Sequence, residues 1–297
     1  MILVRWTLVI VASNALACAG AFAADAKEVS WPRSWYEREA PVHVYGNTYY
    51  IGTRGLSAVL IVSSEGHVVI DGTVPEAASD LLANVRGLGF DTRDIKYVLN
   101  SHAHFDHSGG IAAIQEASGA TVLSSPAGAA ALSKGRGGPD DPQYTVITPF
   151  PAVANTKVLP DRGSIEIGST KITVHYTPGH TPGGTSWTWR SCERERCLDV
   201  VYADSLNAVS ADDFRYSGDP RYPNAAADLR ASIDRIEKLS CDIVISAHPE
   251  GTGFWEKVER RKNGEANALT DPNGCRAYAQ GARERLNARL ERERARE

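Results

Sequence analysis

The sequence predicts an α/β protein in which two sheets pack on each other and helices cover them. Three observations carry that expectation. Short runs of β-branched and aromatic residues recur along most of the chain, helical periodicity is interspersed among them, and three of the strand-like runs lead into loops that bear histidine. Composition agrees, since 42% of the 297 residues are hydrophobic and 23% charged, the balance of an ordinary globular protein.

Residues 1–23 come first and are set apart. They carry Arg5, the apolar run Trp6 to Ala12 and the small-residue pattern Ala21-Phe22-Ala23, while Ser13-Asn14 breaks the run too early for a membrane span. Residues 1–23 therefore read as a secretory signal peptide and 24–297 as one domain, exported to the periplasm as a monomer with no membrane contact after cleavage. Cys18 raises a lipid anchor, but Ala15 stands where the usual acceptor pattern has leucine. Loss of the leader removes only Arg5 and moves the formal net charge from −4 to about −5, which argues against nucleic acid as a partner.

Strands are expected at 42–45, 49–52, 58–62, 68–70, 95–99, 121–123, 164–167, 172–176, 185–189, 199–202 and 242–246. Helices are expected at 75–86, with Pro75 in the first turn, at 111–117, at 126–132, and at 225–238, where Leu229, Ile233 and Ile236 share a face. Residues 276–297 are rich in Arg and Glu at helical spacing, with Leu286 and Leu290 as a narrow stripe. They read as a docked helix whose last turns fray. The pairs Trp31/Trp35 and Trp187/Trp189 read as core or as docking of the N-terminal segment.

The stretch His102-Ala103-His104-Phe105-Asp106-His107 puts four metal-capable side chains into six positions, a density that packing does not need. It lies between the strand 95–99, closed by Asn100-Ser101, and a helix that Ser108-Gly109-Gly110 introduces. His180 sits in the turn Pro178-Gly179-His180-Thr181-Pro182-Gly183-Gly184 after another strand, and His248 follows 242–246 just ahead of Pro249. Ligands delivered at the C-terminal ends of strands are where open α/β sheets gather their sites. Sorted by chemistry, His102, His104 and His180 make a three-histidine site with an open fourth position, the arrangement of catalytic zinc. Asp106, His107 and His248 make a second, whose carboxylate suits the harder side of a coordination sphere. The plainer alternative is that Asp106 or Ser108 caps the next helix and the histidines are polar loop residues, which suits one histidine better than this cluster.

Without Cys18, four cysteines remain: Cys192, Cys197, Cys241 and Cys275. An even number suits an oxidising compartment, and three pairings are open. Cys192 with Cys197 would close a charged hairpin tip; Cys241 with Cys275 would enclose His248.

From about residue 42 to 275 these features resemble the metallo-β-lactamase superfamily, whose signature is His-x-His-x-Asp-His. Val68-Val69-Ile70-Asp71-Gly72-Thr73 resembles its early strand and Asp-Gly turn, in which Asp71 would orient a ligating imidazole from behind. Residues 177–183 and 246–249 are similar to its third and last ligand loops. His102 as first ligand, His107 directly after Asp106, and Ala203-Asp204-Ser205 where other subclasses place a cysteine resemble the third subclass. The resemblance implies a four-layer α/β/β/α sandwich with the metals at one edge of the sheets, two zinc ions, and a small-molecule β-lactam whose ring a metal-bound hydroxide opens. Asp106 would orient that nucleophile, and no serine nucleophile is needed. Ser205 would contact substrate, as would Asn207, which stands where many relatives carry Ser or Thr. Gln143, in a Gly/Pro/Asp-rich loop, is a third candidate contact or else a solvated loop amide. A Cys241–Cys275 bond is common in this subclass, so the expected pairs are Cys241 with Cys275 and Cys192 with Cys197. Rival readings are a glyoxalase-like thioester hydrolase or a lactone or phosphodiester hydrolase of the same fold, with Asp204 bridging the metals, and a structural or solute-capturing zinc protein.

Overall fold

The computed structural model describes residues 31–296, so the leader expected at 1–23, with Cys18, lies outside the described residues. Seven strands build the first sheet: β1 (Val42–Tyr45), β2 (Thr48–Tyr50), β3 (Val59–Ile61), β4 (His67–Ile70), β5 (Ile95–Leu99), β6 (Thr121–Ser124) and β7 (Lys157–Val158), side by side in chain order. β1 to β4 pair antiparallel and β4 to β7 parallel. Parallel neighbours need a crossover. Here α1 (Ala78–Gly87) links β4 to β5, and the single turn α2 (Phe105–Ser108) with α3 (Ile111–Ser118) links β5 to β6, after which α4 (Pro126–Lys134) follows.

Five strands build the second sheet: β8 (Ser164–Ile167), β9 (Thr170–Tyr176), β10 (Thr185–Glu193), β11 (Arg196–Ala203) and β12 (Ile243–Ser246), in the order β12-β11-β10-β9-β8. Only β11 and β12 run parallel, joined through α5 (Ala225–Glu237); α6 (Phe254–Lys262) and α7 (Gly274–Arg294) complete the chain. Side chains alternate between faces along these strands. Val200 and Tyr202 of β11 and Ile243 and Ile245 of β12 point into a core shared with Tyr50, Val59, Ile61, Val68 and Ile70 of the first sheet. Val201, Ala203 and Val244 point the other way, against Leu229, Ile233 and Ile236 of α5 and Ala279, Ala282 and Leu286 of α7. On the far side of the first sheet α3 packs against β5 and α1, with Leu81, Val85, Ile111 and Ile114 buried. The layers are α/β/β/α, as expected, and Trp187 and Trp189 lie in the inter-sheet core.

Three local differences have simple causes. The helix expected from 75 opens as a 3-10 turn, Pro75–Ala77, before α1, because proline has no N–H to donate and its fixed φ suits a first turn. β10 and β11 run on to the hairpin tip, past the apolar residues that marked them. β7 and α6 were not foreseen: β7 is two exposed residues, and α6 buries only Phe254 and Val258 among its charges. The hairpin tip is closed by Cys192–Cys197, which face each other in the strand register, and Cys241–Cys275 ties the approach to β12 to the first turn of α7. No helix of the described residues is long and apolar enough to cross a membrane.

One turn locks the metal-loop region to the sheet. After β4, Asp71 (φ 61°) and Thr73 (φ 56°) both adopt the left-handed region although neither is glycine, which is costly for a β-branched residue. The Gly72 amide donates to the His107 carbonyl at 2.7 Å, and the Gly110 amide donates to the Thr73 carbonyl at 3.2 Å. A Cβ on Gly72 would lie 2.6 Å from the Ile111 backbone nitrogen, so only glycine permits the approach.

Candidate metal centre

The loops that follow β5, β9 and β12 meet at one edge of the sandwich and bring all six sequence-predicted donors together. His102, His104 and His180 gather their ligand atoms within 4.8 Å of one another. Each ring has one nitrogen engaged from behind. The Nδ1 of His102 donates to Asp204 Oδ1 at 2.8 Å, His104 Nε2 to Asp141 Oδ2 at 2.9 Å, and His180 Nδ1 to the Asn207 carbonyl at 2.9 Å. Those bonds fix the tautomers and turn His102 Nε2, His104 Nδ1 and His180 Nε2 inward as lone-pair donors. The inward His102 Nε2 is buried with no hydrogen-bond partner.

In the second trio, His107 Nε2 and His248 Nε2 stand 3.2 Å apart, and Asp106 Oδ2 is 3.2 Å from the first and 3.5 Å from the second. These are the edges of a tetrahedron of about 3.3 Å, as expected around an ion bonded at about 2.0–2.1 Å. His102, Asp106 and His107 also fall within one 4.8 Å group, so the two trios adjoin.

The electrostatics favour ligation. Burial holds His102 well below the usual imidazole range and brings His180 down to about 3 and His248 to about 4, so all three present neutral rings. Burial works against ionising Asp106, but the neighbouring His107 outweighs it and holds the carboxyl below its usual range. Burial likewise opposes charge on His107, and Asp106 overcomes it and raises the ring. In that buried pair a divalent cation would replace the proton. An orphaned buried nitrogen, tetrahedral spacing and a His/Asp donor set together fit a divalent metal of the zinc class.

Asp71 supports the loop more than a ring. Its carboxylate accepts from the Ser101 amide at 2.6 Å, the Ser101 hydroxyl at 2.6 Å and the Tyr202 hydroxyl at 2.8 Å, whereas His107 Nδ1 is 3.8 Å away, beyond a hydrogen bond. Ser205 is 2% exposed, its hydroxyl is without a partner, and it lines a cleft with His248 and Asn207. Gln143 reaches inward, its amide nitrogen 3.4 Å from His104 Nδ1. Two residues escaped the sequence reading. Asp141 braces His104 from the same loop as Gln143, and Trp35, expected as core or docking, puts its ring 5.6 Å from that of His248 and 5.8 Å from that of Phe105. His43 and His175 lie elsewhere, bonded to the Gly46 carbonyl and the Thr188 hydroxyl.

Residues 51–248 match the family described as the metallo-beta-lactamase superfamily. Among solved structures, the Rm3 metallo-beta-lactamase superposes with a TM-score of 0.86 at 49% identity, over 88% of this chain and 97% of that one. MEM-A1, a subclass B3 metallo-beta-lactamase isolated from a soil metagenome library, gives 0.87 at 48% identity, over 89% and 100%. The hydroxyacylglutathione hydrolase of Anaeromyxobacter dehalogenans (strain 2CP-C) is 31% identical over 125 residues, 42% of this chain and 38% of that enzyme. The chain thus spans about two fifths of the length of the first curated relatives it matches.

Proposed function

This chain belongs to the metallo-β-lactamase superfamily, and from that premise we propose a dizinc hydrolase that opens the β-lactam ring of antibiotics. His102, His104 and His180 would hold one ion, and Asp106, His107 and His248 the other. The observation that carries the choice is the placement of Asp204. Its carboxylate accepts from the back of His102 at 2.8 Å, on the side of the ring away from the inward Nε2, which supports a bracing role over a bridging one. The second trio is then complete without a further carboxylate, which favours the lactamase over a bridged thioester hydrolase.

Bound zinc supplies Lewis acidity toward a carbonyl oxygen and lowers the pKa of water to about 7. The rest falls to the chain. Asp204, Asp141 and the Asn207 carbonyl keep three imidazoles oriented, so the donors need no rearrangement as charge develops. Asp106, an acceptor-only carboxylate beside His107 and His248, orients the attacking nucleophile. Gln143 offers an amide N–H from the rim beside His104, and the Ser205 hydroxyl is available to a substrate group near His248. Export to the periplasm belongs to the same reading and is supported by the two disulfides; the monomeric state is part of the proposal.

Purified protein should hydrolyse a chromogenic cephalosporin, lose that activity to a chelator and regain it with zinc. Zinc-loaded protein that leaves penicillins, cephalosporins and carbapenems intact would overturn the proposal. The partial likeness to a hydroxyacylglutathione hydrolase keeps one rival in view. A higher kcat/KM on a glutathione thioester than on the cephalosporin would reverse the choice.

A further inference from the structure

We infer that Arg285, on α7, is the cation that receives the carboxylate group of the substrate, an inference that rests on the lactamase reading and names a contact for that site. A cleft of ≈ 340 Å³ opens beside the second trio, with His248, Trp35, Ser205, Asn207, Glu250 and Arg285 on its walls. Arg285 Nε donates to Asn207 Oδ1 at 2.8 Å. That single bond orients the guanidinium and leaves its two terminal nitrogens, the edge whose fork matches a carboxylate.

The other arginines of α7 with described side-chain partners are committed differently. Arg283 is paired with Asp234 and Glu237, Arg289 with Glu293, and Arg276 with Asn273. Among the described residues Arg285 makes no ion pair. The cleft also holds the Ser205 hydroxyl, buried and unpartnered, which can donate to the same anion. Asn207 does two things at once: its backbone carbonyl accepts a hydrogen bond from His180 Nδ1 while its side-chain oxygen accepts one from Arg285. A shorter Ser or Thr at 207 would bring its hydroxyl, not an amide oxygen, toward that guanidinium, so the residue by which this chain departs from many relatives is the one that installs the cation. Glu250 is the opposing charge on the cleft wall. It is exposed and works against an anion there.

Penicillins, cephalosporins and carbapenems carry an ionised carboxylate next to the lactam nitrogen, and the methyl ester of the same compound lacks that charge. The test is therefore the ratio of kcat/KM for a chromogenic cephalosporin over its methyl ester. Arg285→Met should lower the wild-type preference for the acid about tenfold, mainly through a higher KM for the acid, with zinc content and thermal unfolding as in the wild type; Arg285→Lys should restore part of the preference. Glu250→Gln should raise it. Acid and ester slowed equally by Arg285→Met, an unchanged preference, or a shift in the same direction from the Arg285 and Glu250 variants would overturn the inference alone. Zinc-loaded wild-type protein that turns over neither compound, nor any penicillin or carbapenem, would overturn the lactamase reading and this contact with it.

Discussion

The two donor trios are made from the same kind of loop at the same sheet edge, yet they are braced to different degrees. Behind His102, His104 and His180 stand acceptors at 2.8, 2.9 and 2.9 Å, and the side chains of His102 and His104 are only 1% and 4% exposed. His107 Nδ1 has no hydrogen-bond partner, whereas His248, hydrogen-bonded to the Gly55 backbone and packed by Trp35, keeps 24% of its side chain exposed on the wall of a cleft. Hydrogen-bonded imidazoles lose little on ligation, whereas a ring with no acceptor behind it, such as His107, relies on the metal itself to fix its tautomer. The first trio is built for retention and the second for access.

The largest expected effect tests whether these are ligands at all. His102→Ala should remove bound metal and lower turnover by more than the ~100-fold that marks the upper end for a supporting residue, while His43→Ala and His175→Ala leave both unchanged. Metal content and chromogenic turnover measure this, and similar losses from all three variants would undo the ligand assignment. Next comes the order of release. Dialysis against increasing chelator should strip metal in two steps, the second trio first; loss in one step, or retention by the second trio, would break the comparison. Asp141→Asn should weaken metal at the first trio by roughly 10–100-fold and blur the two steps into one. The smallest effect on the site is expected from the disulfide that encloses His248. Replacing Cys241 and Cys275, 34 residues apart, with serine should cost about 3–4 kcal/mol of stability in the chain-entropy account and loosen only the second trio. Equal weakening of both trios, read by metal titration of the variant, would mean that the bond braces the whole edge.

The gathering of these six side chains was legible because imidazole density in loops at strand ends has no packing explanation, and the Asp-Gly turn after β4 was legible because Asp71 sits in a recognisable strand-turn pattern. The braces were not. Asp141 lies 37 residues from His104, and its partnership depends on how a Gly/Pro-rich loop folds back, which local periodicity does not encode. Asp204 and Ser205 lie just past the end of β11, where strand alternation no longer fixes their sides, so the sequence did not say which of them braces His102 and which lines the cleft. α6 escaped because only Phe254 and Val258 are buried in nine residues, too few apolar positions for the helical period to register.

The left-handed pair around Gly72 bears on how this edge breathes. Two such residues cost about 1–3 kcal/mol each and persist only while their surroundings hold them. The holding bonds run to His107 and Gly110, and the Asp71 amide itself donates to the Leu99 carbonyl of β5 at 2.8 Å. The turn and the donor loop therefore open together with the sheet, as one cooperative unit. The amides of Asp71, Gly72 and Gly110 should exchange with deuterium only through global unfolding, with or without zinc. In small zinc-dependent domains metal binding is what drives folding. Here metal loss should silence the chemistry and leave the amide-protection map of the edge intact.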